Sequence, residues 1–296
     1  MDGNHLGGLD ALFPFCDIVV GYGSSFIKQA NLQETENTLR DILVFSQDRI
    51  ALVNMLYETR VISPSCRYFS HLVDPEILFF ADTRFGTRRR YKIGIIQTDR
   101  GLKNISEWDD SFYIAGRFQK PVRLLRCADK SLHARFDESS SSNHVSALNA
   151  ALIMISNGNS ESFSISSLLT SLISLSYMGD VRMTLAENPM KIANIVEGQK
   201  DELERIYKPY FDKVGIKQIS GGELRCSKSP SELWSRLPRS FTRSAVQLAD
   251  PREALVASLK QVNRRESINQ ALVGMGTTGI CKSMNYLARK ISKRFF

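Results

Sequence analysis

A short apolar run that stops at a glycine and two serines constrains the fold more than any other feature of this chain. Residues 17–22 read Asp-Ile-Val-Val-Gly-Tyr, which is typical of a buried strand, and Gly23-Ser24-Ser25 then predicts a turn. After a polar stretch, residues 39–45 have the pattern of a second strand with Asp41 near its start. The two strands are close enough in sequence to pair, so we expect a sheet around them.

The rest of the first half continues this mixture. Helix-like apolar spacing covers residues 48–58. Further strands are predicted at 76–80, 91–97, 113–115 and 122–126, with turns between neighbours. The polar run Glu-Ser-Ser-Ser-Ser-Asn at 138–143 then predicts a linker.

Helical spacing dominates beyond that run. Apolar residues recur at steps of three and four in residues 144–156, 165–177, 190–196 and 201–210, and one short strand is predicted at 215–219. We therefore expect an α+β chain in three parts. A sheet domain would cover 1–137, a mainly helical domain 144–235, and a basic C-terminal region 236–296.

Composition narrows the class of protein. The 296 residues are 43% hydrophobic and 24% charged, ordinary values that exclude disordered and collagen-like chains. The five cysteines are odd in number and widely spaced, which argues for a reducing compartment and against a disulfide framework or a cysteine zinc site. The four histidines lack metal-binding spacing. No stretch has the ~20 apolar residues that span a membrane.

The N-terminus carries no recognisable presequence. Residues 1–10 contain two aspartates and no lysine or arginine, the opposite of a secretory or mitochondrial signal. We expect either that no cleaved signal exists or that this sequence begins after one.

The positive charge is concentrated at the C-terminal end. From Arg236 onward there are twelve Lys and Arg against three Asp and Glu, whereas the first 235 residues hold 27 against 28. Beyond residue 279, apolar residues recur at steps of four and three along one helical stripe: Ile280, Met284, Leu287, Ile291 and Phe295. The basic residues lie off that stripe: Lys282, Arg289, Lys290, Lys293 and Arg294.

Such a segment predicts an amphipathic helix lying on an anionic membrane, where each basic residue contributes ~1 kcal/mol. Two other readings stay open: a helix packed on its own domain, and a tail that binds nucleic acid. Stacking aromatic residues would support nucleic acid, and the tail offers only Tyr286, Phe295 and Phe296. A membrane is therefore favoured over nucleic acid.

Gly23, Ser24 and Asp41 together have the layout of a nucleotidyltransferase site. A glycine lets the backbone approach a triphosphate, the serine hydroxyl and the N–H groups of the turn donate to it, and the aspartate can hold Mg²⁺. The same residues would also suit a plain turn beside an exposed aspartate. The pattern alone leaves both readings open.

Longer segments resemble a known family. Residues 21–29 read Gly-Tyr-Gly-Ser-Ser-Phe-Ile-Lys-Gln, and 113–122 read Tyr-Ile-Ala-Gly-Arg-Phe-Gln-Lys-Pro-Val. With residues 175–183, 194–196 and 274–290, they resemble in order the signature segments of the Tam41 family, the mitochondrial phosphatidate cytidylyltransferases. The resemblance covers nearly the whole chain.

The resemblance implies a nucleotidyltransferase-fold domain, a winged-helix-like helical domain and a membrane-binding C-terminal segment. It implies that CTP and phosphatidic acid react with Mg²⁺ to give CDP-diacylglycerol and pyrophosphate, an early step of cardiolipin and phospholipid synthesis. The place implied is the matrix face of the inner mitochondrial membrane, with the enzyme bound peripherally.

The candidate site residues follow from this comparison. Asp41 is the expected metal ligand and catalytic residue, with Asp48 as a second metal candidate. Arg117 and Lys120, expected in a turn between two strands, would bind the triphosphate or the lipid phosphate, unless they form a solvated surface pair. The expected nucleotide-binding residues are Tyr22, Gly23, Ser24, Ser25 and Lys92, although Lys92 also suits an exposed strand position.

Asp180 and Arg182 follow a glycine in the helical half. They fit either a contribution to the site or a salt bridge at a helix end.

Several positions depart from the family pattern. Ser25 stands where the family commonly has a second glycine, and Arg49 and Val53 stand where a proline and a histidine are usual. Asn104 replaces an expected aspartate, and residues 78–82 lack an expected asparagine. Two alternatives therefore accompany the enzyme hypothesis: a catalytically weakened membrane adaptor, and a nucleotidyltransferase acting on RNA.

Overall fold

The first half of the molecule is built on a five-stranded mixed sheet. The computed structural model describes residues 15–27, 39–72, 77–83, 90–109, 112–156, 162–185 and 188–278. The strands are β1 (Ile18–Tyr22), β2 (Arg40–Phe45), β3 (Leu78–Thr83), β4 (Tyr91–Ile96) and β5 (Arg123–Cys127). Their order is β3-β4-β2-β1-β5, and only the β2–β4 pair is parallel.

The predicted pairing of the first two strands is confirmed. β1 and β2 run antiparallel with Tyr22 opposite Asp41, and β4 places Lys92 beside Asp41 on the other side. The end of β1 and the starts of β2 and β4 therefore meet at one edge of the sheet.

Alternating side chains give the sheet two buried faces. Val19, Ile42 and Ile93 pack on one face with Leu52 and Leu56 of α1 (Arg49–Glu58). On the other face Val20, Leu43 and Phe45 share a cluster with residues of α3 (Thr98–Glu107) and α4 (Tyr113–Phe118). Helix α2 (Pro64–Leu72) packs against α1. The confirmed class is α+β.

The strand predicted at 113–115 is wrong, because these residues form α4. The amide of Gly116 donates to Phe112 O at 2.8 Å, as in a helical turn. Phe112 and Ala115 belong to the core of the helical half, whereas Ile114 and Phe118 belong to the sheet core. A helical conformation lets neighbouring residues contribute to both cores. Residues 113–115 are too few to show the helical repeat of apolar residues in the sequence.

The linker predicted at 138–143 is also wrong. These residues lie inside α5 (Lys130–Ile155), a helix of 26 residues that begins at the capping side chain of Asp129. Serine costs only a few tenths of a kcal/mol in a helix, and packing on both sides outweighs that cost. One helix therefore runs through the expected boundary between the first two domains.

The second half is mainly helical, as expected. Its helices are α6 (Ile165–Leu175), α7 (Val181–Leu185), α8 (Lys191–Tyr207), α9 (Phe211–Val214), α10 (Pro230–Ser235), α11 (Arg239–Ser244) and α12 (Pro251–Thr278). The predicted strand at 215–219 is confirmed as β6 (Ile216–Gln218), which pairs with β7 (Leu224–Cys226). The winged-helix comparison stays a prediction.

Helix α12 ties the two halves together. It packs against β3 and α2 of the first half and against α5, α7 and α10 of the second. Asn263 donates to Leu175 O at 2.9 Å, and Ser267 accepts from the amide of Val181 at 3.3 Å. Within the described ranges, no helix is long and apolar enough to cross a bilayer.

Candidate active site

The turn after β1 closes directly onto Asp41. Gly23 has a φ of 77°, and its carbonyl accepts from the amides of Phe26 and Ile27 at 3.1 and 3.0 Å. A Cβ at Gly23 would lie 3.2 Å from Asp41 Oδ2. Glycine therefore serves two purposes here: it adopts the left-handed turn, and it leaves open space in front of the carboxylate.

The two serines of this turn differ in environment. Ser25 is buried, and its hydroxyl has no hydrogen-bond partner among the described residues. Ser24 is partly exposed. A buried hydroxyl without a partner costs about 1–3 kcal/mol, so the Ser25 hydroxyl is a group whose burial a hydrogen bond to a ligand would offset.

Asp41, Tyr22 and Lys92 lie together at the sheet edge, as their strand register requires. The Lys92 ammonium lies 4.7 Å from the centre of the Phe79 ring. The structure thus brings the predicted metal ligand, Asp41, together with four predicted nucleotide-binding residues: Tyr22, Gly23, Ser24 and Lys92. The fifth, Ser25, follows Ser24 in the turn.

Arg117 reaches this edge from α4. Its guanidinium lies 5.1 Å from the Tyr22 ring centre and 4.8 Å from that of Tyr113, and Nη2 donates to the Tyr113 hydroxyl at 2.9 Å. The expected strand-to-strand turn is therefore corrected, because Arg117 lies in the last turn of a helix. The alternative of a solvated surface pair also fails, since the side chain is enclosed between two rings.

The pKa values of the two tyrosines in this cluster shift in opposite directions. Burial raises the pKa of Tyr22 well above its ordinary value, and the neighbouring Tyr113 and Asp41 add to that rise. Burial also acts to raise the pKa of Tyr113, but Arg117, Lys92 and Arg182 outweigh it, so its pKa is lowered. The positive field at Tyr113 is one that would also favour an anionic ligand.

Lys120 lies in the connection between α4 and β5. Its Nζ donates to Ser176 Oγ at 2.6 Å and lies 4.5 Å from the centre of the Tyr177 ring. Burial holds its pKa well below the ordinary value, and the positive charges of Arg117, Lys191 and Arg182 lower it further. Four basic side chains therefore share one small region.

The salt-bridge interpretation of Asp180 and Arg182 is confirmed, and their role in the site stays a prediction. They form a salt bridge in which Arg182 Nε donates to Asp180 Oδ1 at 2.9 Å and Nη2 donates to Oδ2 at 2.5 Å. They also line a pocket with Arg117 and Lys120. Burial disfavours the Asp180 carboxylate, yet the hydrogen bonds and charge of Arg182 lower its pKa overall.

The pocket brings together residues from α4, from the segment after α6 and from α12. Its lining is Phe112, Tyr113, Gly116, Arg117, Lys120, Ser176, Tyr177, Asp180, Arg182, Asn263, Glu266 and Ser267. Sequence reasoning did not single out Tyr113 or Tyr177, although both lie inside quoted family segments. The three residues from α12 carried no local signal at all.

The structure does not bring Asp48 to Asp41. Asp48 lies beyond the opposite end of β2, where its Oδ1 accepts from the amide of Ala51 at 2.8 Å and caps α1. Asp41 is thus not part of a cluster of three His, Cys, Asp or Glu side chains in the described part of the chain. The five basic residues predicted to bind a membrane lie outside the described residues.

Three departures from the family pattern have structural roles here. Arg49 is the first residue of α1, and Val53 is buried in the core beneath the sheet. Asn104 is buried, donates to Asp109 O and accepts from the amide of Ala115 at 3.4 Å, so it orients the start of α4.

Comparison with known proteins identifies the family of this chain. A family model described as "Phosphatidate cytidylyltransferase, mitochondrial" matches residues 9–243. Relatives of the same name include one from Schizosaccharomyces pombe, 27% identical over 94% of this chain and 80% of the relative. The mouse relative is 26% identical over 93% and 90%, and that of Caenorhabditis elegans 24% over 92% of each. The chain therefore belongs to the Tam41/Mmp37 family of mitochondrial phosphatidate cytidylyltransferases.

Proposed function

We propose that this chain transfers the cytidylyl group of CTP to phosphatidic acid, giving CDP-diacylglycerol and pyrophosphate, an early step of cardiolipin synthesis. The observation that carries the proposal is the convergence at one site of the Gly23 turn, Asp41 and the basic pair Arg117 and Lys120. Family membership identifies CTP and phosphatidic acid as the substrates. The basic side chains of the site can offset the negative charge of the two phosphates that react.

The reaction needs no strong general base. A phosphate monoester has a second pKa of about 6, so phosphatidate is largely dianionic at neutral pH. One of its oxygens attacks the α-phosphorus of CTP, the bond to the β-phosphate oxygen breaks, and pyrophosphate leaves with the bonding electron pair. Catalysis then consists of aligning the two phosphates and neutralising charge, which Arg117 and Lys120 are placed to do.

Asp41 fits a Mg²⁺ ion. Proteins usually bind this ion through one or two carboxylates together with substrate phosphates, so a lone aspartate is an adequate ligand set. The missing Cβ of Gly23 leaves room beside Asp41 Oδ2. When bound there, Mg²⁺ would offset the charge that develops on the triphosphate.

The turn residues would hold the β- and γ-phosphates. The N–H groups around Gly23, the partly exposed hydroxyl of Ser24 and the unpartnered hydroxyl of Ser25 are donors at the same edge. Lys92 lies beside Asp41 in the sheet and supplies a positive charge there.

Access to phosphatidate would come from the membrane surface. The tail beyond residue 278 is basic and patterned as an amphipathic helix, which supports peripheral binding to anionic lipid rather than to nucleic acid. The mitochondrial relatives support a mitochondrial compartment, and we propose that the protein acts at the matrix side of the inner membrane.

The direct test is an assay with purified protein, Mg²⁺, labelled CTP and phosphatidate vesicles. Asp41→Asn should lower the rate of CDP-diacylglycerol formation by about a hundredfold or more, since metal binding contributes several kcal/mol. Asp48→Asn is the matched control: asparagine also caps helices, so its activity should equal that of the unaltered protein.

Two results would count against the proposal. Absence of CDP-diacylglycerol from folded, vesicle-bound protein would favour the adaptor alternative. Equal activity of Asp41→Asn and the unaltered protein would remove Asp41 from the metal site.

A further inference from the structure

The basic residues of the site fall into two groups with Arg117 between them. One group lies at the sheet edge, where Lys92 accompanies Asp41 and the Gly23 turn. The other lies in the helical half around Tyr177. Arg117 interacts electrostatically with Tyr22 and Asp41 on one side and with Tyr177 on the other. Transfer between two phosphates needs two adjacent anion sites, and the molecule offers two.

The group around Tyr177 contains a lysine that sequence reasoning did not identify. Lys191 is the first residue of α8, and its Nζ lies 5.3 Å from the centre of the Tyr177 ring. Lys120 Nζ lies 4.5 Å from the same ring centre. Both ammonium groups are thus close to the same aromatic ring. The repulsion between the two lysines contributes to the lowered pKa of Lys120.

The basic side chains of this group favour an anionic ligand such as a phosphate monoester. Arg182 is neutralised by Asp180 through its salt bridge, and the Glu266 carboxylate lies 3.6 Å from Arg265. Lys120 and Lys191 both lie close to Tyr177, and a phosphate monoester carries a charge of about −1.5 to −2 near neutral pH. A dianion between the two lysines would remove their mutual repulsion.

An exposed apolar residue comes directly before this lysine in the chain. Met190 precedes Lys191 and is 59% exposed. An exposed methionine offers apolar surface to the hydrocarbon chains of a lipid, whereas a nucleotide triphosphate has no hydrocarbon chain.

We propose that Lys191 and Lys120, arranged around Tyr177, bind the phosphate of phosphatidate, while the Gly23 turn, Asp41 and Lys92 bind the triphosphate of CTP. This assignment rests on the proposed function. It makes Lys191 a determinant of affinity for the lipid substrate, and it places the attacking phosphate on the helical side of Arg117.

The test separates the two substrates kinetically. Soluble dioctanoyl phosphatidate is used so that membrane binding does not enter the measurement. Lys191→Ala should raise KM for dioctanoyl phosphatidate by about tenfold or more, the usual effect of losing a hydrogen bond to a charged group, and leave KM for CTP unchanged. Lys191→Arg should restore most of the affinity.

Lys200→Ala is the matched control. Lys200 lies on the same helix, 49% exposed and 4.0 Å from Glu204, so its loss should change neither KM. Thermal unfolding of each variant checks that the fold is intact.

The kinetic results distinguish a site for the lipid phosphate from a site for the triphosphate. A rise in KM for CTP with KM for dioctanoyl phosphatidate unchanged would overturn the assignment, and so would no change in either. If the unaltered protein shows no turnover, the proposed function fails instead. In that case calorimetric titration with dioctanoyl phosphatidate still tests the site, because unaltered protein should bind it and Lys191→Ala should not.

Discussion

At the scale of single residues, the site depends on a glycine at position 23, which has no Cβ atom. Gly23 holds a φ of 77° and approaches Asp41 Oδ2 so closely that a side chain would occupy the space in front of the carboxylate. Gly221 has the same φ but nothing within 4 Å of its Cβ position. Alanine variants at the two glycines therefore separate the free-energy cost of the left-handed backbone from the effect of filling the space beside Asp41.

Gly23→Ala should lower both stability and activity. The left-handed conformation costs about 1 kcal/mol once a Cβ is present, and the added methyl displaces Asp41, so kcat should fall by about tenfold or more. Urea unfolding and the cytidylyl transfer assay measure the two effects.

Gly221→Ala is the control for the first effect alone. It should lose a similar free energy of unfolding and keep full activity. Equal activity losses in both variants would show that the space beside Asp41 is not what matters.

At the scale of elements, helix α5 connects the sheet side of the site to the helical side. Asn143 is fully buried on it: Oδ1 accepts from Trp108 Nε1 at 2.8 Å, and Nδ2 donates to Ala115 O at 2.9 Å. These bonds join α5 to the end of α3 and to α4, the helix that carries Arg117. A polar residue in a run of serines is therefore a structural anchor.

Asn143→Ala should destabilise the protein by about 2 kcal/mol, because it leaves the Trp108 N–H buried without its acceptor and removes one of the two hydrogen bonds to the Ala115 carbonyl, which keeps the bond from the Gln119 amide. The measurement is the free energy of unfolding in urea. Ser142→Ala, at the adjacent exposed position, should change stability by less than about 0.5 kcal/mol. A small effect at Asn143 would contradict the anchoring role.

At the scale of the whole molecule, the excess positive charge is concentrated in the C-terminal region. The first 235 residues are nearly neutral, and the basic excess begins at Arg236. Helix α12 carries part of that region back onto β3 and into the pocket through Asn263 and Glu266. The segment that follows α12 therefore starts from an element that touches the site.

Deletion of residues 279–296 should abolish sedimentation with vesicles that contain cardiolipin, because it removes five basic residues and the apolar stripe. Vesicles of phosphatidylcholine alone serve as the control and should bind the full chain weakly. The thermal unfolding midpoint should stay the same. Unchanged sedimentation of the shortened protein would place the membrane contact elsewhere.

The sequence by itself determined the strand–turn–strand core, the position of Asp41 and the family, because these features depend on residues close together in the chain. Only the tertiary structure decided that Arg117 lies on a helix, that α5 continues through four serines, and that Asp48 lies at the far end of β2. It also brought Lys191 close to Tyr177 and α12 to the pocket. The physical reason is that burial against distant elements overrides local preference, and contacts between residues tens of positions apart leave no periodic signal in the sequence.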